Sequence, residues 1–262
     1  MNVKEIKMRL IDTSYNNAAM NMAIDEALLQ SKEPVLRLYQ WKPSALSLGY
    51  FQDIKDINVK ECEKRKIEIV RRLTGGKTIF HDKELTYSFV TDEKEMPKSI
   101  IESYKIISKG ILYALKSLGI SASMKKSIKK NKNKSPVCFN EPSYYEVVVN
   151  GKKIVGSAQK RFNGKLLQHG SILVDVDYDK LISLFNLKDK EKSVEISKKR
   201  ITSIKEFNKR ISIKKLKKYL KEGFEKNLGI KLVNDKLTKD ELKLAKKLAK
   251  DKYSTKNWNR KE

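Results

Sequence analysis

The chain has 262 residues, 39% of them hydrophobic, which is enough to bury a full core in one large domain or two small ones. It carries 58 lysines and arginines against 32 acidic residues, a net charge of +26. Such a charge favours nucleic acid, an acidic membrane or acidic proteins as partners, although lysines scattered along the whole chain supply much of the excess.

Several classes of protein are disfavoured by what the sequence lacks. It has no apolar run of membrane-spanning length, no signal-peptide core in its first residues, and no nucleic-acid-recognition motif. Two cysteines, Cys62 and Cys138, do not form a disulfide framework. We therefore expect a cytoplasmic protein that does not bind membranes, and nucleic acid is a disfavoured partner.

The N-terminal part predicts a strand, a helix and two further strands. Residues 8–11 predict the opening strand, and the cap-forming residues Asp12, Thr13 and Ser14 predict a helix that runs to about Gln30. The later elements are strands at 35–41 and 44–51 and a short helix at 58–65. Gly49 leaves room for the close approach of a ligand or a neighbouring segment. Cys62, in the short helix, is expected to have no chemical role.

The central stretch is residues 71–82, RRLTGGKTIFHD, between predicted strands at 67–70 and 85–90. The adjacent glycines Gly75 and Gly76 expose bare backbone that a ligand can approach closely. The arginines Arg71 and Arg72 suit an anionic or carbonyl-bearing ligand. A tight hairpin with a solvated basic edge accounts for the same residues equally well.

A second informative stretch follows an amphipathic helix at 99–118 and a lysine-rich surface loop at 121–135. It collects Cys138, Lys153 and His169 on and around strands predicted at 147–149, 153–159 and 166–174. A type I′ turn at Asn150–Gly151 joins the first two strands. A nucleophilic cysteine must be partly thiolate, which cationic surroundings promote. His169, in an apolar strand, is more typical of a structural histidine.

The rest of the chain is predicted to be helical. Residues 211–228 and 238–252 have helical apolar spacing, and Thr238 and Glu241 form a capping box. Tyr253 and Trp258, close to the end of the chain, are expected to dock onto its body. With no linker or repeat in view, we expect one domain over 1–262, with 210–262 as its helical C-terminal extension.

Five motifs in order resemble those of the biotin/lipoate protein ligase and acyltransferase family. They are residues 21–26 (NMAIDE), 47–52 (SLGYFQ), 71–76 (RRLTGG) with 81–82 (HD), 153–159 (KIVGSAQ), and 252–253 (KY) with 258–259 (WN). The resemblance implies an α+β fold with a mixed, largely antiparallel β-sheet flanked by helices. It also implies an essential lysine at Lys153 and substrate-binding residues at Arg72, Thr74, Gly75, Gly76, His81, Gly156, Ser157 and Ala158.

Two departures from the ligase pattern favour one branch of the family. Lys77 stands where ATP-using lipoate ligases usually have a third glycine. Cys138 opens a CFxxPSxYE segment that looks like the cysteine-nucleophile octanoyltransferases. The resemblance then implies that Cys138 and Lys153 move an octanoyl group from acyl carrier protein to a lysine of a lipoyl-accepting protein, such as the glycine-cleavage H protein or a lipoyl domain.

This interpretation requires no cofactor and no metal, because a thioester donor is already activated. We also expect a monomer. Two related activities stay open: an ATP-dependent lipoate–protein ligase, which would need ATP and Mg²⁺, and an amidotransferase that takes octanoyl from the H protein. A basic nucleic-acid-binding protein on the same fold is the alternative outside enzymes.

Overall fold

The structure, a computed structural model, describes residues 6–126 and 145–260. Its large sheet contains β1 Ile6–Asn16, β2 Val35–Trp41, β6 Glu84–Asp92, β7 Ser123–Lys126, β8 Tyr145–Val149, β9 Lys152–Phe162, β10 Lys165–Leu173 and β11 Ile230–Asp235. These strands lie in the order β11-β1-β2-β6-β10-β9-β8-β7. β1 is parallel to both β11 and β2, and the remaining neighbours are antiparallel. The prediction of a mixed, largely antiparallel sheet is confirmed.

A small second sheet supports the predicted glycine-rich loop. Its central strand is β3 Ala45–Leu48, with β4 Glu68–Arg71 parallel on one side and β5 Ile79–His81 antiparallel on the other. Because β4 and β5 are not neighbours, the segment between them must cross the end of β3. The hairpin that the sequence also allowed here is therefore absent.

Helices cover both faces of the large sheet and one face of the small one. They are α1 Ala18–Ala27, α2 Val59–Lys64, α3 Ile100–Ser117, α4 Tyr178–Ser183, α5 Lys190–Arg200, α6 Ile213–Leu228, α7 Lys239–Leu248 and α8 Lys256–Asn259. α3 and α6 share a core with one face of the large sheet, and α1 and α7 share a core with the other. α2, α4 and α5 pack around the small sheet. None of the helices in the described part of the chain combines the length and apolarity that crossing a bilayer requires.

Most predicted elements are present, but the N-terminal helix begins later than expected. Asp12, Thr13 and Ser14 lie inside β1, where the register with β2 shifts and Ser14 has a φ of 51°. The N-cap of α1 is Asn17, whose side chain accepts a hydrogen bond from the Met20 amide at 2.8 Å. The predicted caps were wrong because pairing with β2 extends β1 through them.

The C-terminal part is not entirely helical. β11 pairs with β1 and adds an edge strand to the large sheet between α6 and α7. The capping box of Thr238 and Glu241 at the start of α7 is confirmed. Tyr253 is buried, and the Trp258 indole donates to the Arg71 carbonyl at 2.9 Å, so both aromatic residues dock as expected.

Candidate active site

The glycine-rich loop, residues 73–78, lies directly on β3 and the residue that follows it. A Cβ atom built on Gly49 would stand 1.8 Å from the Gly76 carbonyl oxygen, so only glycine fits at position 49. Gly76 has a φ of 93°, which an L side chain rarely adopts. The Tyr50 amide also donates to the Thr74 carbonyl at 2.9 Å. The neighbour that Gly49 admits is therefore the loop itself.

The two arginines of this stretch bind the protein's own backbone. The Arg72 guanidinium donates to the carbonyls of Ser47, Gly75 and Lys77 at 2.6–2.8 Å. Arg71 donates to carbonyls of the segment after β3 and of the chain's end, at Gly49, Tyr50, Gln52, Trp258 and Asn259. Both side chains are buried. Arg72 therefore holds the loop in place, and Arg71 holds the segment after β3 against the chain's end. These internal bonds differ from the expectation that the arginines suit an anionic or carbonyl-bearing ligand.

A buried polar chain ties the loop to the large sheet. Thr74 Oγ1 lies 2.7 Å from His169 Nε2, and His169 Nδ1 lies 2.9 Å from Asp25 Oδ2. Asp25 also accepts from Arg37 Nη1 at 2.6 Å and from the Tyr39 hydroxyl at 2.9 Å. His169 is therefore more than a core histidine, because it links α1 to the loop.

The sequence itself contains a signal for these buried hydrogen bonds. Asn21 and Asp25 are polar residues four apart on the otherwise apolar face of α1, and both are buried. Two buried polar residues at that spacing require polar partners from elsewhere in the fold. Arg37 supplies them, since it bonds both side chains.

His81 belongs to a second buried cluster on the same side of the large sheet. Its Nε2 lies 2.8 Å from Ser47 Oγ, and its ring stacks on Trp41 with centroids 3.9 Å apart. Its Nδ1 faces Glu84 Oε1 at 3.5 Å. Burial lowers the pKa of His81 below its ordinary value, and the Glu84 carboxylate only partly opposes this. His81 is accordingly a neutral imidazole near pH 7.

Lys153 is buried on β9 and forms an ion pair with Glu146, whose Oε1 lies 2.8 Å from its Nζ. Ile154 and Val155 both enter the core beneath α3, and the register between β8 and β9 shifts at this point. The inward–outward alternation of the strand is therefore interrupted. As a result, Lys153 falls on the face of β9 that carries Gly156 and Ala158.

These elements enclose a narrow cleft with an empty volume of about 270 Å³. Its lining combines apolar walls with the buried polar groups described above: Met22, Tyr39, Trp41, Ser47, Arg72, Ile79, His81, Thr86, Ala158, His169, Gly170 and Ser171. Apolar walls of this kind suit an alkyl chain. Among the described residues, no group of histidine, cysteine, aspartate and glutamate side chains is arranged to hold a metal ion.

The structure places the predicted site residues at different positions. Gly75 and Gly76 lie in the glycine-rich loop, and Lys153 and Gly156 lie on β9. Arg72, His81 and Ala158 line the cleft, and Thr74 is bonded to the cleft residue His169. Ser157 points to the opposite face, where its hydroxyl lies 2.8 Å from that of Tyr87. Cys138 lies outside the described residues, so its role stays a prediction. Cys62 is buried, and burial raises the pKa of its thiol to about 11, which agrees with a residue without chemistry.

Comparison with known proteins identifies the family. The model of the lipoyl protein ligase A/B catalytic domain matches residues 17–225. Octanoyltransferase LipM of Brevibacillus brevis is 42% identical, and that of Halalkalibacterium halodurans 44%; each match covers 96% of this chain and 98% of the relative. The chain therefore belongs to the lipoyl protein ligase A/B catalytic domain family. Within it, the chain is an octanoyltransferase, an acyltransferase of protein lipoylation.

Solved structures agree with the family and with the fold. The bipartite lipoate protein ligase of Thermoplasma acidophilum, whose structural study includes its E2 lipoyl domain, aligns with a TM-score of 0.84 at 26% sequence identity. The alignment covers 97% of this chain and 96% of the archaeal one. The fold that the motifs implied is thus the fold of lipoate ligases.

Proposed function

We propose that this octanoyltransferase takes octanoyl from acyl carrier protein, holds it as a thioester on Cys138, and passes it to a lysine of a lipoyl-accepting protein. The glycine-cleavage H protein is the proposed acceptor. The observation that carries the proposal is the buried Lys153, paired with Glu146 on the face of β9 that carries the cleft residue Ala158. The similarity to LipM octanoyltransferases over nearly the whole chain supports it.

The proposed reaction has two acyl transfers. In the first, the Cys138 thiolate attacks the carbonyl carbon of the donor thioester, and the carrier's phosphopantetheine leaves as a thiolate. In the second, the neutral amine of the acceptor lysine attacks the new thioester, its proton passes to solvent as the amide forms, and the Cys138 thiolate is released. Dividing the transfer in this way is covalent catalysis, and the thiolate is the form of cysteine that reacts.

The residues around the cleft have distinct roles in this proposal. Lys153 places a cation beside the acyl carbonyl, where it stabilises the negative charge that develops on oxygen. Its ion pair with Glu146 fixes its position before substrate binds. The apolar walls, including Trp41 and Ile79, receive the octanoyl tail. Burying seven carbons contributes roughly 5–6 kcal/mol at about 0.8 kcal/mol per carbon.

Because the donor is already activated, the proposed reaction needs no nucleotide. We expect intact-mass analysis with octanoyl-carrier protein, no ATP and no acceptor to show the enzyme plus one octanoyl group. Addition of apo H protein should then move that mass to the acceptor. Strict dependence on ATP and free octanoate or lipoate, with no adduct on the enzyme, would overturn the transferase mechanism and favour a ligase.

The cysteine assignment has its own control within the chain. Cys138→Ala should abolish both the adduct and the transfer, whereas Cys62→Ala should leave them nearly intact because Cys62 is buried in α2 and its thiol has a raised pKa. Peptide mapping of the wild-type adduct identifies the modified residue. An inactive Cys62 variant beside a normal Cys138 variant would show that the nucleophile is misassigned.

A further inference from the structure

An exposed patch of aromatic and cationic residues lies beside the cleft. It consists of Tyr50, Phe51, Lys160 and Phe162, which we call the rim patch. Phe51 is 89% exposed and Phe162 is 51% exposed, unusual values for phenylalanine. Clusters of solvent-exposed apolar side chains mark interaction surfaces. The rim patch therefore indicates a binding site for a partner.

The four residues contact one another. Lys160 Nζ lies 4.9 Å from the centre of the Tyr50 ring and 5.2 Å from that of Phe162. The Tyr50 and Phe51 rings meet edge to face at 4.8 Å. Within the described part of the chain, no carboxylate forms a salt bridge with Lys160. The patch thus presents aromatic surface around a cation that an external carboxylate can reach.

Two backbone connections place the rim patch next to the cleft. Lys160 and the cleft residue Ala158 are two positions apart on β9, so they share a face and lie about 7 Å apart along the strand. On the other side, the Tyr50 amide is bonded to the carbonyl of Thr74 in the glycine-rich loop. A protein seated on the patch would therefore stand at the edge of the cleft.

We propose that the rim patch is the docking surface for the lipoyl-accepting protein, which contacts it through apolar and acidic residues around its acceptor lysine. This inference rests on the proposed function. A lysine side chain is much shorter than a phosphopantetheine arm, so the acceptor must sit directly at the cleft, whereas the donor can dock farther away. The net charge of +26 favours an acidic partner, and Lys160 gives that preference a local contact.

Direct binding tests the surface independently of acyl chemistry. Fluorescently labelled apo H protein would be titrated with the wild-type enzyme, with Phe51→Ala and with Lys160→Glu. Matched controls are Phe207→Ala, which removes a phenylalanine that is 43% exposed near the end of α3, and Lys116→Glu on the exposed side of α3. The rate of enzyme acylation by octanoyl-carrier protein, measured on the same samples, reports folding and donor binding.

We expect each rim-patch variant to raise the Kd for apo H protein by roughly tenfold, the loss typical of a residue central to an interface. The controls should change it less than about twofold, and acylation by the carrier should stay at the wild-type rate. Equal Kd changes in patch and control variants, or no binding of apo H protein by the wild type, would overturn the proposal. Slower acylation with an unchanged Kd would assign the patch to the donor and also overturn it. Failure of the proposed function appears separately, as wild-type enzyme that the carrier never acylates.

Discussion

Asp25 is the residue through which the first helix, the large sheet and the glycine-rich loop are joined. Burial alone would raise the pKa of its carboxyl, but the Arg37 charge and the His169 hydrogen bond outweigh burial and hold the pKa below its ordinary value. With a proton on Nδ1, His169 donates to this carboxylate and its Nε2 accepts the Thr74 hydroxyl. Arg72 Nε then donates to Thr74 Oγ1 at 3.1 Å. The loop is thus anchored by a continuous set of buried hydrogen bonds.

Lys153 provides the most direct test of the site at the level of one residue. Lys153→Ala should reduce transfer by about 10²-fold or more, because a cation that stabilises developing charge is lost. The protein should remain folded, since the hydrophobic core around β9 is retained. Steady-state rates and a thermal unfolding curve measure the two effects.

Lys152→Ala is the control, because Lys152 lies one position earlier on β9, on the opposite face, and is only half-buried. It should keep near wild-type activity. An equal loss in both variants would mean that charge near the turn matters and position does not.

His81 predicts a pH dependence of stability. Because burial holds its folded-state pKa below the ordinary value of about 6.5, the unfolded chain binds the proton more readily. The free energy of unfolding should therefore decrease as the pH falls below about 6.5. In His81→Asn this part of the decrease should be absent. Urea denaturation of both proteins between pH 7.5 and 5.5 measures it, and parallel curves would contradict the prediction.

At the scale of elements, the site depends on how the glycine-rich loop crosses β3. The loop joins β4 to β5 across the central strand of the small sheet, and its contact with the strand is backbone against backbone at Gly49 and Gly76. The Arg72 guanidinium donates both to the Ser47 carbonyl on β3 and to the Gly75 carbonyl in the loop, and so links the two segments. Loop position therefore depends on contacts with residues outside the loop as well as on the loop's own sequence.

Gly49→Ala tests this contact. The added methyl group would overlap the Gly76 carbonyl, so the loop must move, and we expect a loss of about 1–3 kcal/mol of stability. Displacement of the loop should also lower activity by about 10²-fold. Chemical denaturation and transfer rates measure the two effects.

Gly75→Ala is the matched stability control, since a Cβ at Gly75 meets no atom within 4 Å. Its free energy of unfolding should stay within about 0.5 kcal/mol of wild type. If both glycine variants are equally stable, the loop can move at little cost in free energy. The contact between Gly49 and Gly76 would then not determine its position.

At the scale of the whole molecule, the C-terminal part packs against β1 and α1, near the start of the chain. Arg9 on β1 is buried and bonds Glu241 on α7 and Asp235 on β11, each at 2.5 Å. The Tyr253 hydroxyl donates to Glu26 on α1 at 2.7 Å. These contacts make the C-terminal part integral to the core around α1. They support the proposal that residues 1–262 form one domain.

Glu241→Ala should destabilise the protein by about 2 kcal/mol, because it leaves the Arg9 guanidinium short of partners and removes half of the capping box. Asp240→Ala, at the exposed neighbouring position, should cost only a few tenths of a kcal/mol. Urea denaturation of both variants provides the comparison. Equal effects would show that neither the Arg9 contacts nor the capping box adds stability beyond that of an acidic residue in the first turn.

Features that depend on neighbours in the chain were predictable from the sequence. The amphipathic spacing predicted α3, and Asn150 and Gly151 take the positive φ angles of the predicted turn. The motifs also implied the sheet class and the chemistry of the family. In each case a few consecutive residues contain the determining interactions, such as apolar periodicity or a turn conformation.

The arrangement of the candidate site was decided only by the tertiary structure. His169 and Asp25 are separated by 144 positions, and Arg71 and Asn259 by 188, so no local pattern shows that they meet. The same is true of Asp12 and Ser14, whose capping preference was overridden by pairing with a distant strand. Hydrogen bonds and close backbone contacts of this kind form only after the chain has folded, because their partners come from segments that the sequence does not link.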